Sequence, residues 1–142
     1  MASMTVTGFD EFAKQLAEFK PRMTEIEKKA LYKGAGMMAD AVRASVGTLP
    51  YDSSTVSQIQ NAIGIANFQA AADGLITTAI GFDGYFEDSH FPIPFFMREV
   101  EMGTSRIRKR PVFRQAVTKN AEAVKAAIAD EIQRAVDAML GE

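Results

Sequence analysis

Cysteine and tryptophan are absent from this chain, and histidine occurs once, at His90. Without cysteine there is no disulfide, no thiolate metal ligand and no cysteine nucleophile, a composition that fits a reducing cytosol. A serine hydrolase built on this chain would need His90 as its base. Neither a Gly-x-Ser-x-Gly elbow nor a glycine-rich phosphate loop followed by lysine accompanies it. No run approaches the ~20 apolar residues of a membrane span. Met1–Met4 lead into no basic n-region and no apolar h-region, so no signal peptide is expected. Large net charge is lacking too. Sixteen Lys and Arg against 18 Asp and Glu leave −2, and the pI is near 5.5. That balance argues against a protein that coats nucleic acid over its whole surface.

What is present is ordinary globular material, 142 residues with 47% hydrophobic and 24% charged. One domain over 1–142 is expected, large enough to bury a core without staples. Met1–Thr7 reads as a frayed end or a short edge strand. Phe9, Phe12, Ala13, Leu16 and Phe19 then mark an amphipathic helix. Pro21 predicts a break or kink near Lys20, with a second helix from Pro21 to Ser45. Gly34 and Gly36 lie inside that helix, each costing roughly 1 kcal/mol relative to Ala, and close approach of a neighbouring element would offset that cost. Gly47–Ser57 reads as a loop. A strand is expected over 58–68, where alanine-rich composition leaves a helix open as the alternative, and a better-defined one over 75–82, with a turn at Asp73 and Gly74. Asp83–Pro94 reads as a long aromatic-bearing loop, too rich in proline for a central strand.

The stretch from Arg98 to Ala116 organises the rest. Short alternation predicts a third strand over Phe95–Met102. It would place Glu99 and Glu101 on one face, about 7 Å apart. Gly103 marks a turn. A cationic loop follows, and Pro111 suits the first position of a helix, where its missing N–H has no partner to lose. That helix runs to Leu140 on the stripe Phe113, Val117, Ala121, Val124, Ile128, Ile132, Ala135 and Met139. At roughly 45 Å it exceeds what one face of a small sheet needs, so part of it is free to pack on another subunit. The fold class is therefore α+β: a small antiparallel sheet of about three to four strands, packed by a long N-terminal helical region and a long C-terminal helix.

Arg106, Arg108, Lys109, Arg110 and Arg114 come without an intervening acid. Asp83, Glu87, Asp88, Glu99 and Glu101 precede them against Arg98 alone. Such segregated charge suits a head-to-tail contact, the basic loop of one copy meeting the acidic region of the next. The rival reading is contact with DNA phosphates, and the plain one is a solvated loop. The remaining constellations are weaker. Asp83, Glu87, Asp88 and His90 have hard-cation ligand types but no recognised spacing. Glu99 and Glu101 could do acid–base work but have no identifiable partner. The methionines are core or interface fillers. No catalytic residue, metal or cofactor is assigned.

Glu101-Met102-Gly103-Thr104, then a loop, then Pro111 with Val112–Phe113, resembles the signature of a family of small tail-component proteins of siphophages and prophages. The family is typified by the tenth gene product of the phage Hong Kong ninety-seven. Val112 stands where that family usually has Phe, and Gln115 where a second Pro is common. Ser53-Ser54-Thr55-Val56 lacks the glycine of its Thr-Gly-x-Leu pattern. The resemblance implies a structural virion protein that forms a ring at the head–tail junction, for neck or tail completion. Its expected partners are further copies of itself, neighbouring neck and tail proteins, and genome DNA passing through the lumen, with no membrane involved. It would lie in the virion, and in the host cytoplasm during assembly. The alternative is a small nucleic-acid-binding accessory protein using residues 106–114.

Overall fold

A computed structural model describes residues 2–70 and 76–141, with 2–20 and 70 described by backbone alone. Helix α1 (Ala2–Val46) runs for 45 residues, about 68 Å at the α-helical rise. Ala35, Ala39, Val42 and Val46 recur every three or four residues and are buried, the stripe of a helix with one face in a core.

The helix differs from expectation at both predicted irregularities. Its backbone is helical from Ala2, where a frayed end or edge strand was expected, and it continues through Pro21. An interior proline costs ~3 kcal/mol. The apolar spacing of the sequence runs from Leu16 and Phe19 to Met23 and Ile26 without a phase change. Pro21 and Ile26 also line a cleft with Ala135 and Met139 of the last helix.

That last helix, α4 (Val112–Leu140), lies antiparallel along α1. Ser45 Oγ donates to the Val112 carbonyl at 2.8 Å near one end. Lys33 Nζ meets Glu131 Oε2 at 3.2 Å further along. Between these, Gly34 is buried, and a Cβ there would stand 2.5 Å from Ile128 Cδ1 and 3.3 Å from Val124 Cγ1. At Gly34 the two helices approach closely, the compensation expected for a glycine in mid-helix. Gly36 has nothing within 4 Å of its Cβ position, so no close approach compensates for it.

The segment between the long helices supplies the rest of the core. Asp52 caps α2 (Ser53–Asn61), where a loop and the start of a strand were expected. The capping carboxylate and the burial of Ile59 favour a helix over the extended chain. Next come β1 (Ile63–Ile65), β2 (Gln69–Ala70), β3 (Ile76–Thr77) and β4 (Ile80–Phe82). β1 pairs antiparallel with β4, Gly64 opposite Gly81, and β2 pairs with β3, Gln69 opposite Thr77. Between the two ladders, residues 66–68 oppose residues 78–79, so one strand carries an extra residue, as in a β-bulge. Thr78 Oγ1 donates across that gap to the Ala66 carbonyl at 2.6 Å. The two ladders form separate two-stranded sheets that follow one another along the same two chain segments. The expected turn at Asp73 and Gly74 lies outside the described residues.

Helix α3 (Ile93–Met102) replaces the expected third strand. Ile93, Met97 and Val100 are buried, at i, i+4 and i+7, whereas a strand would bury alternate residues. Pro94 stands in the first turn, where its missing N–H costs nothing. The correction separates Glu99 from Glu101: two positions apart on a helix is about 200° of rotation, so they share no face. The core gathers Ala39, Val42 and Val46 of α1, Leu49, Ile59, Ile63, the buried face of α3, and Val112 and Ala116 of α4. The architecture is α+β, with the two long helices bracketing a small β element. No helix among the described residues is long and apolar enough to cross a membrane.

The two helical glycines should respond in opposite directions. Gly36→Ala should raise stability by about 0.5–1 kcal/mol through helix propensity. Gly34→Val should lower it by about 1–3 kcal/mol through overpacking against Ile128. Urea midpoints of the two variants check this, and shifts of the same sign would refute the close approach.

Candidate interaction surface

The geometry of the basic loop is set by Glu101. Its carboxylate, at the end of α3, accepts from the backbone N–H of Phe113, and from that of Arg114 at 3.3 Å. These are first-turn donors of α4 that have no intrahelical acceptor. Pro111 sits at the N-cap, one place before its expected position, and offers no side-chain cap. Glu101 supplies one from twelve residues away, and its charge suits the positive end of the helix dipole. Phe113 sets its ring against Phe82 of β4, with centroids 5.9 Å apart.

Between the helices the chain turns at Gly103, with φ 78° and ψ 153°, a region essentially reserved for glycine. A Cβ there would also approach Lys109 Cβ to 2.9 Å. Thr104 closes the turn. Its Oγ1 accepts from the Arg106 and Ile107 N–H groups, and its own N–H donates to the Ile107 carbonyl at 2.8 Å. The Arg110 N–H donates to the Val100 carbonyl at 2.7 Å, and Ile107 tucks against the core. The loop is therefore short, internally bonded and anchored at both ends. Arg106, Arg108, Lys109 and Arg114 are exposed and Arg110 is half-buried. The ion pairs among the described residues are Lys33–Glu131, Arg43–Asp40 and Lys125–Glu122. None involves the loop.

Of the acids read as complementary to it, Glu101 is taken up by the cap and Glu99 is half-buried on another face of α3. Asp83, Glu87 and Asp88 are exposed in the segment before α3. That segment is ordered: Tyr85 bridges to Pro92, and the His90 N–H donates to the Phe86 carbonyl at 3.0 Å. His90 has φ 55° and an exposed side chain, the geometry of a turn residue. Among the described residues, no three His, Asp or Glu side chains converge as metal ligands.

A groove absent from the sequence reading lies beside this segment. Tyr51, Phe86, Phe91 and Phe96 line it, with Asp52, Asp88 and Ser89 among its polar groups, and its volume is ≈ 590 Å³. Phe96 is the central ring, 5.7 Å from Tyr51 and 5.2 Å from Phe86, the latter edge to face. Gln58 Oε1 accepts from the Glu87 N–H at 2.8 Å and ties the acidic segment to α2. The aromatics and acids are individually visible in the sequence. Their convergence from α2, the acidic segment and α3 is not.

Glu101→Ala should cost about 1–2 kcal/mol by uncapping α4, and Gly103→Ala about 1–3 kcal/mol through the forced backbone angle. Thermal or urea unfolding checks both, and a neutral Glu101→Ala would dismiss the cap. Asp52 has its pKa held below the usual 3.8, chiefly by the Thr55 hydroxyl and then by the Thr55 N–H. A carboxylate depressed on folding stabilises above its unfolded value and loses that effect as pH falls through the lower folded one. The Thr55 amide resonance should therefore titrate with a midpoint below 3.8, and Asp52→Asn should abolish that movement.

Comparison of the chain with protein-family models, with curated proteins and with solved structures finds no match.

Proposed function

We propose that this chain is a structural subunit of a long-tailed phage particle. It would work as a ring at the head–tail junction, in neck or tail completion, with DNA passing through the lumen. The reading rests first on the motif resemblance around Glu101, Gly103, Thr104, Pro111 and Phe113. The observation that carries it is the loop that follows Gly103. Arg106, Arg108 and Lys109 stand exposed on a turn whose backbone is bonded at both ends, with no ion pair to any described residue. A charged segment held in shape but left unpaired suits recognition of another macromolecule, because ordering it costs little on binding. In this reading the protein acts by assembly, without catalysis, metal or cofactor. Glu101 serves by aiming the loop, and the acidic counterpart narrows from Asp83, Glu87, Asp88, Glu99 and Glu101 to the first three. A second reading, a nucleic-acid-binding accessory protein, draws on the same unpaired cations.

Light scattering separates the two. The purified chain should be a monomer or weak oligomer when dilute and should form a ring when mixed with the products of neighbouring genes. Arg106→Glu with Arg108→Glu should abolish assembly without altering the fold. A salt-resistant ring in dilute protein alone would contradict the weak self-association. Salt-dependent duplex binding that is lost in Arg106→Ala with Arg108→Ala, with no assembly under any condition, would favour the accessory role.

A further inference from the structure

We propose that the aromatic groove lined by Tyr51, Phe86, Phe91 and Phe96 receives the arginine side chains of the 106–110 loop of a second copy of this chain. The inference rests on the assembly reading and gives it a specific contact.

The groove has the chemistry of a cation site. Its rings present π-faces to which a guanidinium is attracted, and Asp52 and Asp88 supply carboxylates beside them. No lysine or arginine lines it. The nearby turn adds Asp83 and Glu87, both exposed, with His90 as the other titratable group. None of these acids is in an ion pair with a described residue. Phe91 stands at the rim, 43% exposed, available to stack on an incoming planar group. Arginine suits such a site better than lysine, because its flat guanidinium can lie on a ring while its edge donates to a carboxylate.

The occupant follows from the charge on the same chain. Arg106 and Arg108 are exposed and make no ion pair with a described residue, and they alternate with Ile107, which points back to the core. Their own subunit's groove is out of register. Phe91 and Phe96 mark the groove at the beginning of α3, whereas the loop leaves α3 after Met102. Phe96 stands six residues, about 9 Å along the helix, before Met102. The loop backbone is also pinned by the bond from Arg110 N–H to the Val100 carbonyl. Complementary surfaces at the two ends of one rigid helix meet between copies, head to tail, in the heterologous arrangement that builds rings.

A synthetic peptide covering residues 104–111, titrated into the full-length chain and followed by aromatic NMR, tests this without requiring the ring to form. Saturable shifts of the Tyr51, Phe86, Phe91 and Phe96 signals are expected, weakening with salt. Asp88→Asn with Phe91→Ala, both on the exposed segment, should weaken binding at least tenfold, and a peptide with glutamine at both 106 and 108 should not bind. No shift, or shifts confined to another surface, would overturn the assignment. If the chain still associates through Arg106 and Arg108 while the peptide misses the groove, the groove assignment falls and the assembly reading stands. If the peptide fills the groove but the chain never associates, alone or with neighbouring gene products, the groove's preference for this loop stands and the assembly reading falls.

Discussion

The carboxylate of Glu101 ties the end of one helix to the beginning of another, and the geometry of the exposed surface follows from that bond. Two first-turn N–H groups of α4 have no acceptor within their own helix, and Glu101 supplies it from α3. The distance between the two elements is thereby set. The chain between them must then turn sharply at Gly103, close through Thr104 and return along α3 to Arg110. That path leaves the cations on the outside, and the core residues on both flanks, Val100 and Val112, remain buried. A proline at the N-cap, which brings no side-chain acceptor, is tolerated because the acceptor comes from elsewhere.

The features legible in the sequence were those governed by local rules. The stripe from Phe113 to Met139 predicted α4 to within a residue. Gly34 in mid-helix pointed to a close neighbour, and Ile128 is that neighbour. Gly103 pointed to a turn, and it adopts a backbone angle that other residues avoid. Misreadings arose where two rules competed. Val100, Glu101 and Met102 alternate like a strand, but Ile93, Met97 and Val100 bury one face of a helix, and the longer period decides. Pro21 signalled a break or kink, and α1 runs on through it. Asp52 looked like a loop residue and is a cap, a role that Thr55 three places on makes readable in hindsight. The groove could not be read at all. Tyr51, Phe86 and Phe96 come from three segments, and only the folded chain brings their rings together.

Charge follows the same division between local and assembled. The segregation of acids before α3 from bases after it is a property of the sequence. Which acids remain available is a property of the fold. Glu101 is withdrawn into a helix cap and Glu99 turned partly inward, leaving Asp83, Glu87 and Asp88 on an ordered and exposed segment. Burial of α3 on one face makes it a fixed spacer between the two kinds of charge.

The antiparallel pair of long helices has a mechanical consequence. α1 and α4 are locked by Ser45 at one end, by the Gly34 crossing, and by Lys33 with Glu131 beyond it. Such a pair behaves as a stiff lever whose fulcrum lies beside the basic loop. α4 extends about 44 Å from Val112 to Leu140. A tilt of about five degrees at the fulcrum would carry its tip roughly 4 Å, enough for a small adjustment at the cationic turn to be felt at the far end of α4.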